Sequence, residues 1–149
     1  MKRLRYGLLP LLGLLAGLAL GWSGHPDRPE APRDHQTIAI RFSHFQTDEV
    51  TVAAGVPVTF ELRNKDPIEH EWIVGTEAIH ERHRLGSEPY HDEIPTEVTI
   101  PAFSTKTTVV TFDKPGEYAF VCHLPGHEAY GMRGVVTVSP NRGAAPDGS

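Results

Sequence analysis

Cysteine is almost missing from this chain. Among 149 residues Cys122 is the only one, and Met132 is the only methionine besides the initiator. A lone cysteine has no partner for a disulfide within its own chain, so a disulfide framework is excluded. Basic clusters are absent beyond Lys2, Arg3 and Arg5, and the formal net charge is −5, which leaves nothing to attract a nucleic acid. No segment of the domain carries a strong apolar stripe at helical spacing, which argues against a helical bundle. Apolar residues make up 39% of the chain and charged residues 22%, a balance that fits a folded protein rather than a disordered one. One domain with short tails is expected at this length.

The one long apolar run, Leu8 to Leu20, follows the basic patch and precedes the small residues Gly21, Ser23 and Gly24. A basic start, an apolar stretch of about 7–15 residues and small residues after it describe a secretory signal. A membrane span needs about 20 residues, and this run reaches that only if it is extended through Trp22. Residues 1–24 are therefore expected to be a cleaved signal, with an uncleaved membrane anchor as the alternative. Either way the domain is expected in the periplasm or at the extracytoplasmic cell surface. Export sharpens the question of Cys122. A free thiol in an oxidising compartment is buried and inert, bound to metal, or used in chemistry.

Residues 25–36 are rich in proline and charge and have the composition of a linker. Residues 141–149 have that of a disordered tail. Between them, over residues 37–140, period-two alternation dominates. Ile38, Ile40 and Phe42 alternate with polar neighbours. So do Val58, Phe60 and Leu62, and then His70, Trp72 and Val74. Further short runs centre on Val50–Val52, Val98–Ile100, Thr107–Phe112, Glu117–Cys122 and Gly134–Ser139. Turn signals such as Lys114-Pro-Gly116 and Pro125-Gly126 separate them. Many short strands at this spacing predict an all-β antiparallel sandwich or barrel. The polar stretch 76–95, with His80, His83 and His91, reads as a long loop containing one helical turn. Its histidines are expected to be solvated, with a second metal site as the competing possibility.

Period two places Tyr118, Phe120 and Cys122 on one face, and the aromatics mark that face as inward. His127 lies five residues beyond Cys122, and Met132 five beyond that. One loop thus carries a thiolate, an imidazole and a thioether, with Gly126 and Gly131 free to fold it tightly. His70, inward with Trp72 and Val74, is the best second imidazole, because an ionisable group on an apolar face needs a partner. Two histidines and a cysteine with a weak axial methionine form the blue-copper electron-transfer constellation. His123 follows Cys122 directly and so faces the opposite side. Zinc suits the same three donors but has no use for an axial Met132. A nucleophilic Cys122–His127 pair is disfavoured because no orienting residue or oxyanion donor stands out.

These residues resemble the cupredoxins, the small blue copper proteins related to plastocyanin, azurin and auracyanin. The resemblance is carried by His70 in NKDPIEHEW and by Cys122-x4-His127-x4-Met132. It extends to AAGVPVTFELRN and KPGEYAFVCHLPGH. It implies a Greek-key β-sandwich of about eight strands. It implies one type 1 copper per chain on His70, Cys122 and His127, with Met132 axial. The implied activity is one-electron transfer rather than catalysis. Leu124, Pro125, Ala129 and Tyr130 would form an apolar patch where redox partners dock transiently on a monomer. A copper carrier or buffer is the alternative. Glu71 departs from the small or amide residue common after the first ligand. Its carboxylate would lower the potential unless, as its parity suggests, it points outward.

Overall fold

A computed structural model describes residues 34–86 and 94–141. Nine strands form two sheets. They are β1 (His35–Arg41), β2 (His44–Phe45), β3 (Glu49–Ala53), β4 (Pro57–Asn64), β5 (His70–Gly75), β6 (Glu97–Ile100), β7 (Thr105–Thr111), β8 (Gly116–Val121) and β9 (Arg133–Ser139). One sheet runs β2-β1-β4-β7 and the other β3-β9-β8-β5-β6. The expected all-β sandwich is therefore present, with the two-residue β2 bringing the strands to nine. The pairing is mixed rather than purely antiparallel. β1 lies parallel to β4, and β3 lies parallel to β9. Alternation alone carries no strand direction, so this was invisible in the sequence. β1 begins at His35, two residues before the expected start of the domain.

The alternating apolar residues do what their period requires, except Phe42, which lies just past β1 at φ 56° and is exposed. Ile38, Ile40, Val58, Phe60, Leu62 and Val110 face inward from the first sheet. They meet Val50, Val52, Trp72, Val74, Ile100, Phe120, Val136 and Val138 from the second. An aromatic bridge joins the layers. Phe60 lies 4.8 Å from Trp72 between ring centroids, and Phe45 meets Phe120 edge-on at 5.0 Å. Such pairs add about 0.5–1.5 kcal/mol each beyond the area they bury.

The stretch read as a loop with one helical turn contains a two-turn helix, α1 (Glu77–Arg84). It packs on the outer face of β5, where the Ile79 side chain lies closely over Gly75. That cover explains why Ile73, on the face of β5 turned away from the core cluster, is also fully buried. The expectation of solvated histidines fails for His80 and His83. Spaced three apart, they share the inner face of α1 and are buried. His91 and residues 1–33, including the candidate signal and most of the linker, lie outside the described residues. Among the described residues no helix is long and apolar enough to cross a membrane.

Gly134 has a packing role. A methyl group there would overlap the Phe120 ring and the backbone oxygen of Asp48, which already accepts the Val135 N–H at 2.7 Å. The ring has to move or β9 has to leave its partner. Gly134→Ala is expected to lower stability by about 1–3 kcal/mol, the usual cost of overpacking, as read by denaturant unfolding. An unchanged midpoint would show that this contact is loose.

Candidate metal centre

β9, β8 and β5 are neighbours in one sheet, and the candidate ligands collect where these strands meet at one end. His70 is the first residue of β5. Cys122 follows β8 by one residue, and Met132 precedes β9 by one. His70, Cys122 and Met132 are fully buried, and His127 is half-buried. Residues 122–132 are tied by their own backbone. Cys122 N–H donates to the Met132 carbonyl at 3.2 Å, and Met132 N–H donates to the His127 carbonyl at 3.0 Å. His127 N–H in turn donates to Leu124 at 3.0 Å. Gly126 and Gly131 take φ values of 86° and 89°, a region costly for other residues. The expected tight turns are there.

The sequence placed His70 with the loop by parity, and the structure brings them together. His70 Nδ1 lies 3.2 Å from His127 Nδ1, and Cys122 Sγ lies 3.3 Å from the same nitrogen. One ligand atom from each residue falls within 4.8 Å of the other two, and no other such group of three occurs among the described histidines, cysteines and acids. Met132 lies in the same core cluster as Cys122. Glu71 contributes through its backbone: its N–H donates to Cys122 Sγ at 3.3 Å. Glu71 thus braces Cys122 through its main chain. Glu71's own side chain is half-buried.

Two residues that sequence reasoning missed hold His70. Asn64 is buried; its Nδ2 donates to the carbonyls of Ile68, Ile100 and Pro101 at 2.8–3.1 Å, and its Oδ1 accepts the Asp66 N–H at 2.9 Å. This fixes the loop that leads into β5. Asp66, also buried, accepts from His70 Nε2 at 3.0 Å. Both stand in the NKDP that precedes the first ligand, a stretch to which sequence reasoning gave no role of its own.

The electrostatics suit a cation. Asp66 lies against His70 Nε2, while His70 Nδ1 faces His127 and Cys122. Burial, and then the neighbouring His70, push the His127 pKa down, which favours the neutral imidazole. Burial pushes the Cys122 thiol up to about 11, against the opposing pull of the Glu71 and Leu124 N–H groups. Burial also opposes the Asp66 charge, but the N–H groups of Ser43 and Phe42 and the His70 bond outweigh it and hold that carboxyl below its usual range. Three donors that each bind a cation best without their proton converge in one buried place. Soft sulfur beside imidazole fits copper by its donor chemistry.

His123 takes no part in this group, as its parity required. It joins the buried face of α1. His80 Nδ1 lies 3.0 Å from His123 Nε2, and the His83 ring stacks on His123 at 5.3 Å. His80 Nε2 donates to the Ala119 carbonyl at 3.2 Å. Burial, and then His80, depress the His123 pKa to about 4. Nearby, Arg84 grips the Glu128 carboxylate through Nη2 at 2.6 Å and Nε at 3.0 Å, tying α1 to the ligand loop beside His127. Of the expected docking residues, Pro125, Ala129 and Tyr130 are exposed, while Leu124 is half-buried against the core.

Comparison with known proteins agrees with this geometry. The sequence pattern of the cupredoxin-like domain family matches residues 13–138. A protein named copper-resistant cuproprotein CopI, from Rubrivivax gelatinosus, is 32% identical over 120 residues, covering 77% of this chain and 72% of that protein. A protein of the same name from Pseudomonas aeruginosa is 24% identical, covering 93% and 98%. Among solved structures, the dithionite-reduced auracyanin of Roseiflexus castenholzii superposes with a TM-score of 0.64 at 23% identity. It covers 74% of this chain and all, 100%, of its own. Auracyanin A of Chloroflexus aurantiacus, described as a blue copper protein, gives a TM-score of 0.56 at 25% identity, covering 73% and 100%.

The buried thiol yields a test on metal-free protein. Between an ordinary value of 9.0 and about 11, the thiolate fraction near neutral pH falls roughly 100-fold. Native Cys122 is expected to react with a thiol reagent about that much more slowly than the unfolded chain. The sign for stability follows. The native state keeps a proton that the unfolded state loses above pH 9, so stability falls as pH rises from about 9 to 11. Fast labelling of the folded protein at pH 7 would contradict the burial.

Proposed function

The chain belongs to the cupredoxin-like family of copper proteins, and on that premise we propose that it is a type 1 copper protein carrying single electrons outside the cytoplasmic membrane. One observation carries this proposal: His70 Nδ1, Cys122 Sγ and His127 Nδ1 converge in a site whose fourth neighbour in the chain's own backbone network is Met132. His70, Cys122 and His127 would hold the metal, with Met132 as the weak axial donor. Copper bound there supplies one-electron exchange between Cu(II) and Cu(I).

The protein's contribution is rigidity and dryness. Cys122 is clamped between the Glu71 N–H and the Met132 carbonyl, so its sulfur stays in place whatever the metal's charge. Trp72 and Phe120 fill the core beneath the site and keep water out, which favours the lower charge. His127 is the one candidate ligand that reaches the surface, so electrons would enter and leave through its edge. The exposed Pro125, Ala129 and Tyr130 around it give a redox partner a small apolar surface. Delivery by a signal or anchor in residues 1–24 would set the protein in the periplasm or on the outer face of the membrane.

Copper handling is the second possibility, favoured by one observation: the matched relatives are named as copper-resistant cuproproteins. The two functions differ in how long copper stays. An electron carrier holds its metal through many redox cycles, and a carrier or buffer surrenders it to a competing chelator.

Copper titration followed by visible absorption tests the proposal. An intense thiolate-to-Cu(II) band is expected, saturating at one copper per chain, lost on reduction and recovered on oxidation. Cys122→Ser should abolish the band. Met132→Leu should keep it and raise the potential, since the axial donor tunes it. Full retention of copper against a chelator over repeated cycles favours electron carriage, and loss within the first cycles favours copper handling. No band in the wild-type protein would overturn the electron-carrier reading and bring copper handling forward.

A further inference from the structure

Asp66 lies outside the ligand set but is bonded directly to it. Its carboxylate makes three contacts. Oδ1 accepts the Phe42 N–H at 2.7 Å, Oδ2 accepts the Ser43 N–H at 2.8 Å, and Oδ2 also accepts from His70 Nε2 at 3.0 Å. The two backbone donors come from a turn far away in sequence, between β1 and β2. Phe42 and Ser43 stand there at φ 56° and 53°, in the left-handed region that residues other than glycine adopt at a cost. The result of that strain is a pair of successive N–H groups aimed at one anion, a backbone nest. The main chain of Asp66 is held as well. Its N–H is bonded to Asn64, and its carbonyl accepts the Phe103 N–H at 3.1 Å, with Phe103 again left-handed at φ 53°. The carboxylate therefore has one place to be, and that place is behind His70.

His127 has no such partner. Among the described residues its hydrogen-bond contacts all involve Nδ1, on the side of Cys122 and His70. The two imidazoles thus differ: one is backed by a fixed negative charge, and the other faces the surface.

We propose that Asp66 is a positioning residue of the metal centre: it holds His70 in the Nε2–H tautomer with Nδ1 turned to the metal, and its charge makes that imidazole a stronger donor to Cu(II) than to Cu(I). The proposal rests on His70 being a copper ligand. Carboxylates that accept the far N–H of a metal-bound histidine fix the ring and raise its basicity. An electron-rich imidazole stabilises the more highly charged ion, so Asp66 lowers the reduction potential. It opposes the dry apolar surroundings, which raise it.

Two measurements test this. The first uses the metal-free wild-type protein. Nitrogen-15 NMR of the imidazoles is expected to show His70 protonated at Nε2 and bare at Nδ1; the reverse tautomer would overturn the proposal without any variant. The second compares the copper-loaded wild type with Asp66→Asn. The amide has one acceptor where the carboxylate had two, so it loses the charge and cannot satisfy Phe42, Ser43 and His70 together. Cu(II) affinity is expected to fall about 10–100-fold, with Cu(I) affinity less affected. Each tenfold loss confined to Cu(II) raises the potential by about 59 mV. A folded Asp66→Asn protein with the wild-type potential would overturn the proposal and leave Asp66 as a turn staple only. Should the variant not fold, the wild-type tautomer decides. Failure of the copper-site assignment itself is separately visible, because wild-type protein would then show no thiolate-to-copper band.

Discussion

The metal centre depends on a short relay of backbone hydrogen bonds that passes through one buried sulfur. Glu71 N–H reaches Cys122 Sγ, Cys122 N–H reaches Met132, and Met132 N–H reaches His127. All four candidate ligands are covered by this relay, because Glu71 is the neighbour of His70. Each bond is individually modest, about 0.5–1.5 kcal/mol net. Their value lies in geometry. The Cys122–Met132 bond extends the β8–β9 pairing by one step past its formal end, so the ligand loop inherits the stiffness of the sheet. The sandwich beneath, joined through Phe60, Trp72 and Phe120, keeps that end of the sheet in one shape.

That stiffness has an electrostatic cost, and the cost explains the site's chemistry. Cys122 is raised and His127 depressed by burial, each towards its neutral form. A buried place with a neutral thiol and lone-pair nitrogens attracts little until a cation enters. A soft cation bound there would replace the thiol proton and be held by Cys122, His70 and His127 together. Asp66 is the complement of this arrangement. It is an anion one imidazole away, held by two backbone N–H groups from a left-handed turn. The molecule spends backbone strain at Phe42 and Ser43 to keep it there.

Much of this was legible in the sequence, for identifiable reasons. Alternation in IEHEWIV and EYAFVC placed His70, Trp72, Phe120 and Cys122 inward, and all four are fully buried. The five-residue steps from Cys122 to His127 and Met132 marked a loop, and Gly126 and Gly131 showed where it turns. The same parity kept His123 out of the ligand group. Other features had no local signal. Helix α1 buries histidines in place of an apolar stripe, so its pattern resembled a polar loop. The parallel pairings of β1 with β4 and β3 with β9 depend on chain path, not on composition. The role of Asp66 depends on a turn 23–24 residues away and on φ angles that no residue type there announces.

The most direct test of the central claim is X-ray absorption at the copper edge of the loaded protein, which counts the donors themselves. Two imidazole nitrogens and one sulfur at short range are predicted, with the sulfur lost in Cys122→Ser. A copper shell of nitrogen and oxygen alone, unchanged by that substitution, would mean that copper binds elsewhere and that residues 122–132 do not form the centre described here.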